Sequence, residues 1–274
     1  LTDYGLEDGF VAVCHGIGAR IAPNVRIIDI THLVPPGDIR RGAAVLAQAV
    51  PYFPPAVHVA VVDPGVGTAR RAVAVAAGGS VFVGPDNGLL SWAVEAAGGA
   101  TAAVSLTNRT LWLDEVAATF HGRDIFMPVA AHLAAGTALA EAGGEADPAS
   151  LVMLPRPASV VREGMAEGEV VTVDRFGNVQ LSVTGADVAR AGVRAGMLVA
   201  LAWAGREVTA PFAVTFGDVP PGELVGYTDS AGLVSIAVNG GDAARRLRLR
   251  PGTSVTLRVA KLSIRAGVPF PAGT

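Results

Sequence analysis

Lysine is almost absent from this chain, whose 274 residues include only Lys261. A Schiff-base lysine or the lysine of a phosphate-binding P-loop therefore has little to draw on. Cysteine is as scarce. Cys14 stands alone, which excludes a disulfide framework and a cysteine-built zinc site. It precedes His15, but adjacent helix positions point apart, so no thiol–imidazole nucleophile is expected from the pair. Charged residues make up 16% and apolar residues 51%, yet no stretch reaches the roughly 18 uncharged apolar residues of a membrane span. A formal charge of −3 gives no basic field for nucleic acid. The arginines are dispersed except in "ARRLRLR" (244–250), which is expected on a strand face. The opening "LTDYGLEDGF" carries acids and glycines where a signal peptide needs a basic start and an apolar centre. The expectation is a cytoplasmic protein with neither nucleic acid nor membrane as partner.

What is present is an alternation of periods. Apolar residues recur at helical spacing from Gly9 to Ile21, and the β-rich run "NVRIIDI" follows. "DIRRGAAVLAQAV" predicts a helix begun by Asp38, "AVHVAVVD" a buried strand, and "RAVAVAA" and "SVFVGP" two more strands. "NGLLSWAVEAAG" predicts a helix with Asn87 near its start, and "FHGRDIFMPVAAHLAAG" a last helix ending at Gly136. Strands alternating with helices imply an α/β domain with a largely parallel sheet over residues 1–155. From Glu141 to Arg162 the pattern dissolves into a connecting segment. Short β-rich pieces then recur between turn residues, which predicts a smaller all-β barrel over 165–274.

The segment "VVDPGVGTARR" (61–71) ends an apolar run on Asp63, turns through Pro64, Gly65 and Gly67, and reaches Arg70. Ligands of parallel sheets bind beyond the carboxyl ends of the strands, so Asp63 is placed at a cleft rim. Arg70 can fold back onto it. The bland alternative is an Asp–Arg pair that only braces a turn. "TDYGLEDG" sets Asp3 and Asp8 among glycines, where Asp8 could merely cap the first helix. "DRFGNV" sets Asp174, Phe176 and Asn178 together. Asp accepts from ribose hydroxyls, Asn reads an adenine edge, and Phe stacks on a base, although each segment alone is also an ordinary turn.

Among five histidines, His121 in "TFHGRDIF" is the best candidate to titrate, because it lies in a polar loop. His58 reads as a strand residue and His132 as packed on its helix; His15 and His32 stay unassigned. Asp3, Asp63 and His121 form a conceivable metal set, unsupported by any HxH or HxxxH spacing. Three functions stay open on the residues alone: a nucleoside-processing enzyme, a nucleoside-binding sensor without turnover, and a metal-dependent phosphohydrolase.

Taken together, "LTDYGLEDGFV", "IIDITHLVPPGDI", "VVDPGVGTARR", "PDNGLL", "TFHGRDIF", "VDRFGNV", "TFGDV" and "SIAVNGG", in this order, resemble the S-adenosyl-L-methionine hydroxide adenosyltransferases, relatives of fluorinase and chlorinase. The resemblance implies hydrolysis of S-adenosyl-L-methionine to adenosine and methionine, no cofactor or metal, and a homotrimer with sites between subunits. It assigns the water-using set to Asp63, Arg70 and His121. It places Asp3 on the ribose, Asp8 and Asp174 near the methionine part, Phe176, Phe216, Asn178 and Asn239 around adenine, and Ser230 on the methionine carboxylate. Halogen-using relatives have an aromatic residue at the position of Asp63, and fluorinase has Ser at that of Gly122. Two departures stand out. Ala231 occupies the position of a fluorinase Arg, and family members have a strand ahead of the position of Leu1.

Overall fold

The structure is a computed structural model that describes residues 1–260, so Lys261 and the end of the predicted barrel domain lie outside the described residues. The chain divides into two compact units, Leu1–Arg156 and the part from Pro157 onward.

In the first unit α1 (Phe10–Ile21) and α2 (Ile39–Ala49) precede the first strand. Asp38 starts α2 as expected, its carboxylate accepting from Arg41 N at 2.9 Å. Asp8 caps nothing here: Gly9 holds the N-cap position of α1 without a side-chain bond. The strands are β1 (Val57–Val59), β2 (Ala72–Ala77), β3 (Ser80–Pro85), β4 (Ala102–Ser105) and β5 (Gly144–Ala146), in the spatial order β1-β3-β2-β4-β5.

The sheet is mixed, which corrects the expectation of a largely parallel one. Only β1 and β3 run parallel among these pairs; β2 is antiparallel to β3 and β4, and β4 to β5. The cause is Gly78-Gly79, which joins β2 to β3 with φ of +56° and +78°. Two residues at positive φ make a tight hairpin, and a hairpin forces antiparallel pairing. The β-rich run after α1 also departs from expectation. Residues 25–30 pair with no described strand, and Val25, Ile27 and Ile28 remain exposed. Propensity alone does not make a strand without a hydrogen-bonding neighbour.

Alternation along β2 builds the two faces of the core. Val73 and Val75 pack with Leu46 of α2 and with Ala93 and Val94 of α3 (Ser91–Ala96). Ala74 faces the other way, onto Phe126 and onto Val129 of α4 (Met127–Ala134). The sheet is therefore covered on both sides, and only the strand ends are left to hold a ligand.

The second unit contains β6 (Val160–Arg162), β7 (Met165–Val173), β8 (Val179–Thr184), β9 (Met197–Trp203), β10 (Arg206–Phe212), β11 (Leu224–Thr228), β12 (Leu233–Val238) and β13 (Ser254–Val259). Pairing of β13 with both β9 and β7 closes seven strands into a barrel, with β6 added outside β7. Closure leaves no free edge in the ring. Leu181, Leu201, Ile236 and Leu257 fill its interior. Residues 243–247, which include the first part of the arginine cluster, form a short helix capped by Asp242, not a strand face. Among the described residues no helix is long and apolar enough to cross a membrane.

Candidate active site

Thr2 forms a parallel bridge with Val61, and Val61 N donates to Leu1 O at 2.9 Å. Both segments run in the same direction, so Asp3 and Asp63 emerge side by side at one end of the sheet. They line one cleft together with Tyr4, Gly37, Pro64, Thr119, Phe120, His121 and Gly122.

After Asp63 the chain makes two successive turns, Val66 N to Asp63 O at 3.1 Å and Thr68 N to Gly65 O at 3.2 Å. These bring Arg70 back onto the acid. Its Nε donates to both Asp63 oxygens at 3.0 and 2.9 Å, and Nη2 makes a further short contact with Oδ2. Nη2 also lies 2.9 Å from His121 Nδ1, and the guanidinium carbon stands 5.1 Å from the centre of the Phe126 ring. The ion pair is nearly dry, with side-chain exposures of 5% for Asp63 and 11% for Arg70. Burial and the Arg70 charge push the His121 pKa below 6.5, so the imidazole is neutral at pH 7. Arginine can only donate, so His121 Nδ1 accepts and the proton resides on Nε2.

The turn depends on Gly67. Its φ is +77°, and an added Cβ would stand 2.5 Å from the Ala118 carbonyl oxygen, on the segment that leads into His121. Gly67→Ala therefore combines backbone strain with a clash that only backbone movement relieves, and should cost about 2 kcal/mol or more. Urea denaturation measures this; a loss under about 0.5 kcal/mol would show that the loop does not need the contact.

His121 opens a π-helical turn, Gly122–Phe126, ahead of α4. Such turns recur at functional sites because they re-aim side chains. Asp124, fully buried, accepts from Ala117 N at 2.8 Å and from the Arg123 guanidinium, tying the preceding loop to this turn. Gly122 faces Tyr4: a Cβ there would lie 1.8 Å from the Tyr4 hydroxyl. Tyr4, Phe10 and Phe120 pack edge to face at 5.3–6.1 Å, so the tyrosine ring has little freedom to give way. Tyr4 and Phe120 escaped the sequence reading. Their aromatic character in glycine-rich segments was the available signal.

Asp3 accepts from Gly37 N at 2.8 Å. Asp8 is exposed. In the second unit, Asp174, Phe176 and Asn178 share the β7–β8 turn, where Asp174 accepts from Phe176 N, Asn178 N and the Asn178 side chain at 2.8–2.9 Å. This fixes the turn and presents the Phe176 ring, 70% exposed, to its surroundings. Ile236 pairs with Val179, so Asn239 just beyond β12 lies at the same barrel end as Asn178. Asn239 donates to Val219 O at 2.7 Å, and Phe216 is half exposed beside Tyr227. Ser230 sits in the turn before β12, toward the end of β8 that carries Thr184. Asp229, also unmarked by the sequence reading, organises that turn by accepting from Ala231 N, Leu233 N, Gln180 and Ser235. The Ala231 N–H is thereby occupied.

The rival chemistries lose ground here. Burial pushes the Cys14 thiol up to about 11, so it is not a thiolate at neutral pH. His58 is buried and stacks on Phe82 at 4.9 Å, as a strand histidine. A metal on Asp3, Asp63 and His121 would compete with Arg70, whose charge already engages both Asp63 oxygens and His121 Nδ1.

Comparison with known proteins identifies the family. Residues 1–143 match the SAM hydroxide adenosyltransferase N-terminal domain, and residues 168–256 the C-terminal domain of that family. The chain is 58% identical over 254 residues to a (R)-S-adenosyl-L-methionine hydrolase of Salinispora arenicola, covering 92% of this chain and 93% of the relative. It is 29% identical to a fluorinase of Actinoplanes, over 95% and 96% of the two chains. The crystal structure of an uncharacterized conserved protein from Thermotoga maritima superposes with a TM-score of 0.89 at 39% identity, covering 94% of this chain and 98% of that one. With both domain matches in chain order, the protein belongs to the SAM hydroxide adenosyltransferase family.

Proposed function

We propose that this chain hydrolyses S-adenosyl-L-methionine to adenosine and L-methionine. The observation that carries the reading is the Asp63–Arg70–His121 set at the cleft, in a chain whose relatives are named for this hydrolysis. The bond from C5′ to sulfur breaks with its electron pair on sulfur, the bond from C5′ to the water oxygen forms, and one water proton is released. A sulfonium leaves as a neutral thioether, so neither a general acid nor a metal is required for its departure.

The nucleophile sets the difficulty. Moving a proton from water (pKa about 15.7) to an ordinary Asp (about 3.9) costs roughly 12 units, on the order of 16 kcal/mol, so prior full deprotonation is excluded. Asp63 instead accepts the proton as attack proceeds. By ordinary pKa values His121 would be the better acceptor by about 2.6 units. Its Nδ1 lone pair, however, is engaged by Arg70, and its Nε2 carries the proton, which leaves Asp63 as the acceptor and makes His121 a partner that positions Arg70. Holding water in line with carbon and sulfur can remove as much as about 7–11 kcal/mol, and this is the largest share.

Asp3 holds the ribose hydroxyls, and Asp8 and Asp174 approach the methionine part. Phe176, Phe216, Asn178 and Asn239 surround adenine, and Ser230 contacts the carboxylate. Each site combines the first unit of one chain with the second unit of a neighbour in a homotrimer. The fluorinase arrangement does not transfer by Gly122→Ser alone, because the Tyr4 hydroxyl occupies the space of the new Cβ.

Purified chain incubated with S-adenosyl-L-methionine should release adenosine and methionine in equal amounts, read by chromatography. Binding without release would identify a sensor. The same assay across pH tests His121. Burial and Arg70 hold its pKa below 6.5 and its neutral form is the working one, so kcat/KM should fall on the acid side in a titration centred below pH 6.5. A fall centred above 6.5 that vanishes in His121→Gln would overturn the neutral assignment.

A further inference from the structure

His15, Asp29 and His32 lie outside the cleft and have no part in the proposed hydrolysis. His15 Nε2 is 2.8 Å from Asp29 Oδ1, and His32 Nε2 is 3.1 Å from the same oxygen. One ligand atom from each residue lies within 4.8 Å of the other two. His32 is 91% buried, and its Nε2 has no hydrogen-bond partner, because the 3.1 Å approach to Asp29 is off line. Its other nitrogen, Nδ1, is 2.8 Å from Thr2 Oγ1. In the tautomer whose Nδ1–H donates to that hydroxyl, Nε2 keeps a lone pair that a bound cation can take up.

From this arrangement we propose that His15, Asp29 and His32 form a binding site for one divalent first-row transition-metal ion such as Zn²⁺. Two imidazoles with one carboxylate suit such ions better than Mg²⁺ or Ca²⁺, which take mainly oxygen ligands. Bonds of about 2.0–2.1 Å in a tetrahedron set ligand atoms roughly 3.4 Å apart, so the ion spreads the two contacts to Asp29 slightly and draws the imidazoles together. The Thr2 hydroxyl supplies the outer hydrogen bond that orients a metal-bound histidine. His15 and Asp29, with side chains 40% and 45% exposed, leave the ion a path from solvent and a fourth position for water.

The site ties α1 to the segment at residues 29–32. It also reaches the cleft through the backbone: Thr2 precedes Asp3, and Gly5 N donates to His32 O at 2.8 Å. The ion therefore braces the loop that carries Asp3, without touching the reacting atoms.

The test uses the full chain stripped with a chelator and then titrated with Zn²⁺ by calorimetry, with Co²⁺ absorption as a second probe. One equivalent should bind, and Tm should rise with added Zn²⁺. His15→Gln, on the accessible side of α1, should weaken Zn²⁺ binding at least about tenfold and abolish the Tm rise while leaving metal-free Tm unchanged. His132→Gln, on α4, should change neither. Co²⁺ bands characteristic of nitrogen and oxygen ligation should be absent in Asp29→Asn. Absence of saturable binding by the folded wild-type chain, or equal affinity in His15→Gln, would overturn the site whatever the outcome of the hydrolysis assay.

Discussion

Asp63→Asn should lower kcat for S-adenosyl-L-methionine hydrolysis by about 10²–10⁴-fold with KM little changed. The amide keeps the shape of the carboxylate and loses its ability to accept the water proton, so the loss falls on the transition state. A complication arises from burial. Asp63 and Arg70 are 5% and 11% exposed, and removing the carboxylate leaves a nearly dry guanidinium without its counter-charge. Breaking such a pair costs roughly 3–5 kcal/mol, enough to unfold a marginal domain. Activity must therefore be read beside Tm. Asp63→Asn retains one oxygen acceptor for Arg70, and the double variant Asp63→Asn/Arg70→Met removes the stranded charge. Both should be folded and both nearly inactive. A folded Asp63→Asn with wild-type kcat would reassign Asp63 to bracing the turn. Arg70→Lys should also lose activity, because one ammonium cannot reach two carboxylate oxygens and His121 Nδ1 in the same plane.

The parts of this site that were legible in the sequence are those fixed by local chemistry. Gly67 at positive φ, the Thr68 turn and Arg70 seven residues after Asp63 form a self-contained unit, and its residue types announce the turn. The Asp174–Asn178 turn is readable for the same reason, since its hydrogen bonds span four residues at most. What escaped depends on approach between distant segments. The tautomer of His121 is set by a guanidinium 51 positions away, and the sequence gives no distance between them. Tyr4 over Gly122 and the pairing of His15 with Asp29 are of the same kind. In the fold, the direction of β2 hung on Gly78-Gly79, a local signal that strand–helix alternation overrode. The run at residues 25–30 failed as a strand for lack of a described partner, which no propensity encodes.

Mixing two inactive variants should restore activity if sites are shared between chains. The proposed contacts divide between the two units: Asp3, Asp8 and Asp63 precede residue 156, and Asp174, Phe176 and Asn178 follow it. Asp63→Asn disables the first unit's half. The double variant Phe176→Ala/Asn178→Ala removes the exposed ring and the amide on the other half, with the barrel interior untouched. In a cyclic trimer each site takes one face from each of two neighbours, so random reassembly of an equal mixture leaves about one site in four with neither defect. Chains dissociated in mild denaturant, combined and returned to buffer should then recover about a quarter of the wild-type rate, with wild-type chains carried through the same cycle as reference. If each chain completes its own site, every site carries one defect or the other, and the mixture stays as inactive as its parents. Recovery that scales with the product of the two variants' fractions would further distinguish shared sites from contamination, which scales linearly with the fraction of the contaminated parent.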